Sequence, residues 1–406
     1  MRRSATRSAF ALTTAGLLVL GIAGCSEQSA PEQEGGGQSN LKIVEQVQID
    51  QAGAEVPAGN TGTPADPAGD GQARCEPVSI AMAGALTGPD AALGINIERG
   101  ARLAIDKHNA ANPNCQVNLQ TFDTQGNEQT ASGIAPRIIN DASIRALIGP
   151  AFSGETEATG KQFSDAGLVA TTASATRVSL SENGWRTFFR GLANDGVQGP
   201  AVANYLKNNL KYSKVCVIDD STAYGTGLAE TLRTTLGPAA DAGCSGQIKK
   251  GEKDFSATVN KVSSASPDAI FFSGYYSEAA PLVQQLRDGG VTATFVSADG
   301  TKDQQFVDQA GDSSKDALLS CPCGPAPAEF AKEYTEKFDA EPGTYSTEGY
   351  DLATILLKGI DAGKVARPDL LEHVRTYNAP GVARNYQWTP NGELTTNLIW
   401  IYKVQS

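Results

Sequence analysis

The sequence predicts an α/β fold built as two lobes, and three observations carry that prediction. Short apolar runs of strand length alternate with longer amphipathic ones, the pattern of a parallel sheet covered by helices. The alternation comes as two successive series, followed by helices alone. The stretch from Cys75 to Ser406 is also too long for one simple core.

The first series places strands at 78–82, 117–122, 146–148 and 168–170, with helices such as "IERGARLAIDKHN" and "ETEATGKQFSDAG" between them. The second places strands at 214–218, 247–249, 269–273 and 294–296. Its helices include "GTGLAETLRTTL", "DFSATVNKVSSA" and "SEAAPLVQQLRDGG", with Asp254 as an N-cap and Gly289 as a helix stop. After "ALLSCPCGPAP" only helices are expected. The chain then closes with a hairpin, "NYQWTPNGELTTNLIWIYKV", turning at Pro390-Asn391-Gly392.

The N-terminus is read apart from the fold. Arg2, Arg3 and Arg7 precede a short apolar run over residues 9–22, the layout of an export signal that is too short for a membrane span. It ends in Ile22-Ala23-Gly24-Cys25, which resembles the lipobox of bacterial lipoproteins. That resemblance implies a signal peptide over residues 1–25, lipidation of Cys25 and tethering to the outer face of the cell membrane. Residues 26–74 are rich in Gln, Glu, Gly, Pro and Ala and read as a flexible leash. Only 41–49 breaks the pattern, as a transient helix.

The net charge of −12, with no basic run beyond the signal, argues against nucleic acid and against a polybasic membrane face. With Cys25 assigned to lipid, six cysteines remain, an even set that reads as disulfides in an exported protein. Fifteen pairings are open in principle. Nearest neighbours are expected: Cys75 with Cys115, Cys216 with Cys244, and Cys321 with Cys323. The first two would tie the starts of adjacent strands, and the third demands a sharp bend. Zinc is not expected: no His is read as near these cysteines, and the chain has only His108 and His373.

"GALTGP", "ALIGPAFS", "DDSTAYGTG", "GEKDFSA", "GYYSEAAPLVQQLRDGG" and "GTYSTEGYDLA" occur in that order. Together they resemble the substrate-binding proteins of branched-chain amino acid ABC transporters, typified by the Leu/Ile/Val-binding protein. The similarity runs over about 78–403. It implies a type I periplasmic-binding clamp with three hinge crossings and ligand in the cleft. The first lobe would take 75–194 and 322–383, and the second 195–321 and 384–406. Cys321-Pro322-Cys323 would then sit at a crossing, where a small disulfide would stiffen the hinge.

Ligands of open α/β sheets bind beyond the carboxyl ends of strands, where helix N-termini favour a carboxylate. By resemblance, Ser153, Ser174 and Thr176 grip the α-carboxylate and part of the ammonium of an amino acid. Asp299 matches the family's acidic partner for the ammonium, where the family has Glu. Tyr224, Tyr275 and Tyr345 match tyrosines lining the cleft, while Tyr276 should point away. Leu93 stands where the family carries a further tyrosine, which keeps an apolar pocket but removes a hydroxyl. Asp195, at the first crossing, is a second-tier candidate.

Catalysis is not expected. Both histidines fall in helical stretches read as surface-facing, no Ser–His pairing is visible, and no cofactor motif is complete: Gly225–Gly227 lacks the phosphate-loop lysine. The expected function is delivery of an amino acid, branched-chain or otherwise aliphatic, to a membrane permease. The rival readings are a sensor using the same clamp, and an importer component for an amide, urea-like or aromatic carboxylate ligand.

Overall fold

The computed structural model describes residues 40–59 and 62–406. The signal segment and Cys25 lie outside the described residues. In chain order the elements begin with strands β1 (Lys42–Ile49) and β2 (Glu55–Val56). There follow β3 (Val78–Gly84), α1 (Ala91–Ala111), β4 (Val117–Asp123), α2 (Glu128–Asn140), β5 (Ile144–Ile148), α3 (Ser153–Asp165), β6 (Val169–Thr172) and β7 (Phe188–Arg190). The second series is α4 (Asp195–Asn208), β8 (Val215–Asp219), α5 (Ala223–Leu236), β9 (Gly246–Gln247), α6 (Ser256–Ala265), β10 (Ala269–Ser273), α7 (Tyr276–Asp288), β11 (Thr294–Ser297), α8 (Gln304–Ala310) and β12 (Leu318–Cys321). The chain closes with α9 (Ala328–Phe338), α10 (Ser346–Asp361), α11 (Arg367–Thr376), β13 (Asn378–Pro380), β14 (Asn385–Gln387) and β15 (Ile399–Gln405).

Two main sheets form the two lobes. The first is parallel throughout, in the order β4-β3-β5-β6-β7. Every residue of β3 is buried, as a strand covered by helices on both faces requires. The second has the order β2-β1-β15-β12-β11-β10-β8-β9, with β8 to β12 parallel and β15 running antiparallel beside β12. Each of the eight strands expected from sequence overlaps an observed one, although 247–249 does so only at Gln247, the end of β9. β7 and β12, which complete the two parallel series, are not marked in the sequence.

The leash reading fails for part of its length. Lys42–Ile49 is neither free chain nor helix but a strand paired antiparallel with β15, with Ile49 fully buried. Its β-branched residues suit a pleated surface, and they gain their burial only because β15 offers an otherwise unpaired edge. The chain then runs to the first lobe, where Ala65 N bonds Pro380 O at 3.0 Å and Asn112 Nδ2 bonds Ala68 O at 2.9 Å.

The closing hairpin also differs from expectation. β14 pairs with β13, while β15 leaves for the second lobe's sheet. The tight turn does form, with Thr389 N to Glu393 O at 2.8 Å, and its Gly392 carbonyl accepts from Arg190 N at 2.9 Å. Gly392 has φ +82°, and a Cβ there would lie 2.0 Å from Phe188 O, so only glycine fits. The turn is thus held against β7, and the third passage between the sheets falls after Leu394 rather than at 383–384. The chain goes from the first sheet to the second between β7 and β8, and leaves the second sheet after β12 until β15.

The three nearest-neighbour disulfides are present, with Cα separations of 4.5, 5.3 and 4.9 Å for Cys75–Cys115, Cys216–Cys244 and Cys321–Cys323. Cys75–Cys115 spans 40 residues and, by chain entropy, is worth about 4 kcal/mol. Cys321–Cys323 closes almost no loop, so whatever it contributes is local.

Candidate functional site: an interlobe cavity around Asp299

Helix contacts place the cavity walls. A Cβ on Gly349 would lie 2.4 Å from Ile97 O, and one on Gly100 would lie 2.0 Å from Ser346 O. Helices α1 and α10 therefore touch backbone to backbone. That contact brings Leu93, in the first turn of α1, and Tyr345, just before α10, to the same side of the first lobe. Tyr345 has φ +72°, a left-handed conformation that disfavours an aromatic residue by roughly 1–3 kcal/mol.

Leu93, Phe152, Ser174, Tyr224, Tyr275, Asp299, Gly300 and Tyr345 line one cavity between the lobes, which leaves free room for about one water molecule. Asp299 is its centre. Tyr224 Oη donates to Oδ1 at 3.0 Å and Tyr345 Oη to Oδ2 at 2.5 Å. Gly300 N in turn donates to Tyr224 Oη at 3.1 Å. Burial raises the Asp299 pKa, against the hydrogen bonds from Tyr345, Gln198 and Tyr224. Three elements from two lobes thus converge on one carboxylate.

The hydroxyl cluster does something other than point free donors into the cleft. Ser174 Oγ donates to Ala151 O at 2.5 Å, and Thr172 Oγ1 donates to Pro150 O at 3.0 Å while accepting from Ala175 N at 3.0 Å. Ser153 opens α3 as expected, but its Oγ accepts from Arg177 N at 3.2 Å. These side chains knit the loops after β5 and β6 together. Thr176 is fully buried, and its Oγ1 lacks a well-formed hydrogen bond among the described residues.

Arg190 braces this loop from behind. Fully buried, it pairs with Glu393 at 2.9 Å, donates to Arg177 O at 2.9 Å, and also donates to Ala175 O. Nothing in the sequence marks Arg190, because its partner lies 203 residues away.

Asp195, at the start of α4, is also fully buried, and neither carboxylate oxygen has a well-formed partner among the described residues. Burial first, and the Asp299 charge second, push its pKa up to about 7, although the nearby Thr176 hydroxyl works the other way. In the unfolded chain the group ionises near 3.8. The stability it contributes is therefore complete below about pH 4 and is lost as pH rises toward 7. Asp195→Asn should flatten that decline, by up to about 1.4 kcal/mol per pH unit. Thermal melts at pH 5 and pH 8 check this: wild type should lose more stability over the interval than the variant.

Further contacts cross between the lobes around the cavity. Lys250 pairs with Asp90 at 3.0 Å, Ala92 N donates to Tyr276 Oη at 3.2 Å, and Asn96 Nδ2 donates to Asp303 Oδ2 at 3.0 Å. Tyr276 thus points away from the cavity, as expected, and grips the other lobe. Phe152 and Lys250 were not anticipated. Phe152 stands directly before Ser153 and was readable as its neighbour, whereas Lys250 carried no sequence signal.

The histidines are not on the surface. His108 is fully buried with Nε2 2.7 Å from Asp361 Oδ1, and His373 is half-buried with Nε2 3.0 Å from Ile355 O. His108, Cys115 and Asp361 approach one another closely, but the Cys115 sulfur is bonded to Cys75 and has no thiolate to offer a metal.

Residues 77–406 match the family described as periplasmic binding protein. An amino acid binding protein of Pseudomonas aeruginosa is 30% identical over 339 residues, covering 80% of this chain and 90% of the relative. A leucine-, isoleucine-, valine-, threonine- and alanine-binding protein of the same organism is 27% identical over 327 residues, covering 78% and 85%. Among solved structures, a branched-chain amino acid transporter substrate-binding protein of Streptococcus pneumoniae, in complex with isoleucine, superposes with a TM-score of 0.76 at 24% identity, covering 81% of this chain and 99% of that one. The two-lobed architecture is that of the type I periplasmic-binding clamp, and its relatives are non-catalytic solute binders. The chain belongs to the periplasmic binding protein family.

Proposed function

We propose that the protein is the extracytoplasmic solute-binding component of an ABC importer, taking an aliphatic amino acid between its lobes for delivery to a membrane permease. The observation that carries this reading is the buried Asp299 carboxylate, reached by tyrosines of both lobes and walled by Leu93, Phe152 and Tyr275. A carboxylate in so dry a place is best matched by a ligand ammonium, and the apolar wall beside it by an aliphatic side chain. Ser153, Ser174 and Thr176 would meet the ligand carboxylate through the backbone N–H groups of their loops and the Thr176 hydroxyl. The names of the amino acid binding relatives support this choice.

The clamp would close around the ligand through contacts made only in the closed arrangement, which is what shifts its population. Cys25 would carry a lipid and hold the protein at the outer face of the membrane. Cys321–Cys323 lies at the second crossing, next to Pro322, whose carbonyl accepts from Arg384 Nη1 at 2.7 Å. That position suits a stiffener of the hinge.

Calorimetric titration of the full chain, stripped of ligand, against the common amino acids tests the function. Saturable binding of Ala, Thr, Val, Leu or Ile, with no heat from their decarboxylated amines, is the expected result. No heat with any amino acid would move the ligand to another class.

A further inference from the structure

One aromatic layer separates the cavity around Asp299 from a wider cleft outside it. Phe152, Tyr224 and Tyr275 line both spaces. The Phe152 and Tyr275 ring centroids are 4.6 Å apart, and those of Tyr224 and Tyr275 are 5.2 Å apart. The layer therefore fixes how far a ligand side chain can extend from Asp299.

Phe152 is held on several sides. Gly126 packs so closely that a Cβ there would lie 2.9 Å from Phe152 Cε2. The Lys250 ammonium sits 5.4 Å from the Phe152 centroid and 4.6 Å from that of Tyr275, within the range of a cation–π contact to both. Lys250 belongs to the second lobe, and its ammonium is fixed by Asp90 of the first, a carboxylate only 2% exposed at the start of α1. Burial works against the Lys250 charge, but Asp90, Glu278 and Asp220 together outweigh it and raise its pKa. The ammonium stays charged, which both contacts need.

Resting on the amino acid reading above, we propose that Phe152, pinned by the Lys250–Asp90 pair, is the specificity-determining wall of this site and restricts it to short side chains, with Ala, Thr and Val preferred over Leu and Ile. Phe152 touches the cavity directly, and Lys250 is a positioning residue acting through it. A pocket discriminates against an added methylene by roughly 10- to 200-fold when it cannot make room. The tight packing of Phe152 against Gly126 and Tyr275 denies that room.

The test is titration of the full chain with Ala, Val and Leu, as wild type, Phe152→Ala, Lys250→Met and Lys250→Arg, with a thermal melt of each. Wild type should bind Val at least about 10-fold more tightly than Leu. Phe152→Ala should reverse that ranking, Lys250→Met should move it part of the way, and Lys250→Arg should restore it. A role in folding alone would lower the melting temperature without changing the Val/Leu ratio. Wild type binding Leu as tightly as Val, or an unchanged ratio in Phe152→Ala, would overturn the wall while leaving the amino acid function standing. Absence of binding for every amino acid would overturn both.

Discussion

Asp299→Asn should weaken amino acid binding by at least about 100-fold. A buried charge pair that loses one partner typically costs roughly 3–5 kcal/mol, and each 1.4 kcal/mol is about tenfold in affinity. Asn keeps the shape of Asp299 and can still accept from Tyr224 or Tyr345, whose hydroxyls now reach its two oxygens at 3.0 and 2.5 Å. The fold should therefore survive and the loss should appear in binding. His373→Ala is the control: His373 bonds the Ile355 carbonyl at 3.0 Å and lines no part of the cavity. Titration of both variants decides the matter, and equal, small effects would remove Asp299 from the site.

The second large effect concerns stability. Arg190→Ala should destabilise the protein by roughly 3–5 kcal/mol, because it leaves Glu393 in a covered position without its cation. Arg190 is fully buried, and its charge holds the Glu393 pKa down even though burial, the larger influence taken singly, works to raise it. The same substitution removes the donors to Ala175 O and Arg177 O, so the loop that carries Thr176 should loosen. Denaturant unfolding measures the first consequence, and titration of the refolded variant the second. Replacing Arg190 and Glu393 together by Met should cost less than Arg190→Ala alone, since no unpaired charge remains. If the double variant proved the less stable of the two, the pair would be contributing more than mutual neutralisation.

Much of the fold was legible because parallel strands buried on both faces are written as short apolar runs. β3, β5, β8 and β10 stand out for that reason, while the edge strand β4 shows instead as an alternation of buried and exposed residues, and the two series became the two sheets. The cysteine pairs were legible for a related reason: neighbouring βα units place the starts of their strands side by side, as Cys75 and Cys115 show. β1 was missed because its burial is borrowed. "KIVEQVQI" leaves most of its residues partly exposed and is a strand only beside β15, more than 350 positions later.

For the site, the sequence alone marked the residue types that sit at strand ends, and the resemblance supplied their roles. Leu93, Ser174, Tyr224, Tyr275, Asp299 and Tyr345 do meet at one cavity. It could not show that Ser153 and Ser174 spend their hydroxyls on loop backbone, since that depends on which carbonyl or N–H lies within about 3 Å. Nor could it show Arg190 against Glu393, or Lys250 between Phe152, Tyr275 and Asp90. Periodicity and local composition report what a residue does with its chain neighbours. Contacts between charges and rings hundreds of residues apart exist only once the lobes have folded and met, and those contacts decided how the cavity is braced and how large it is.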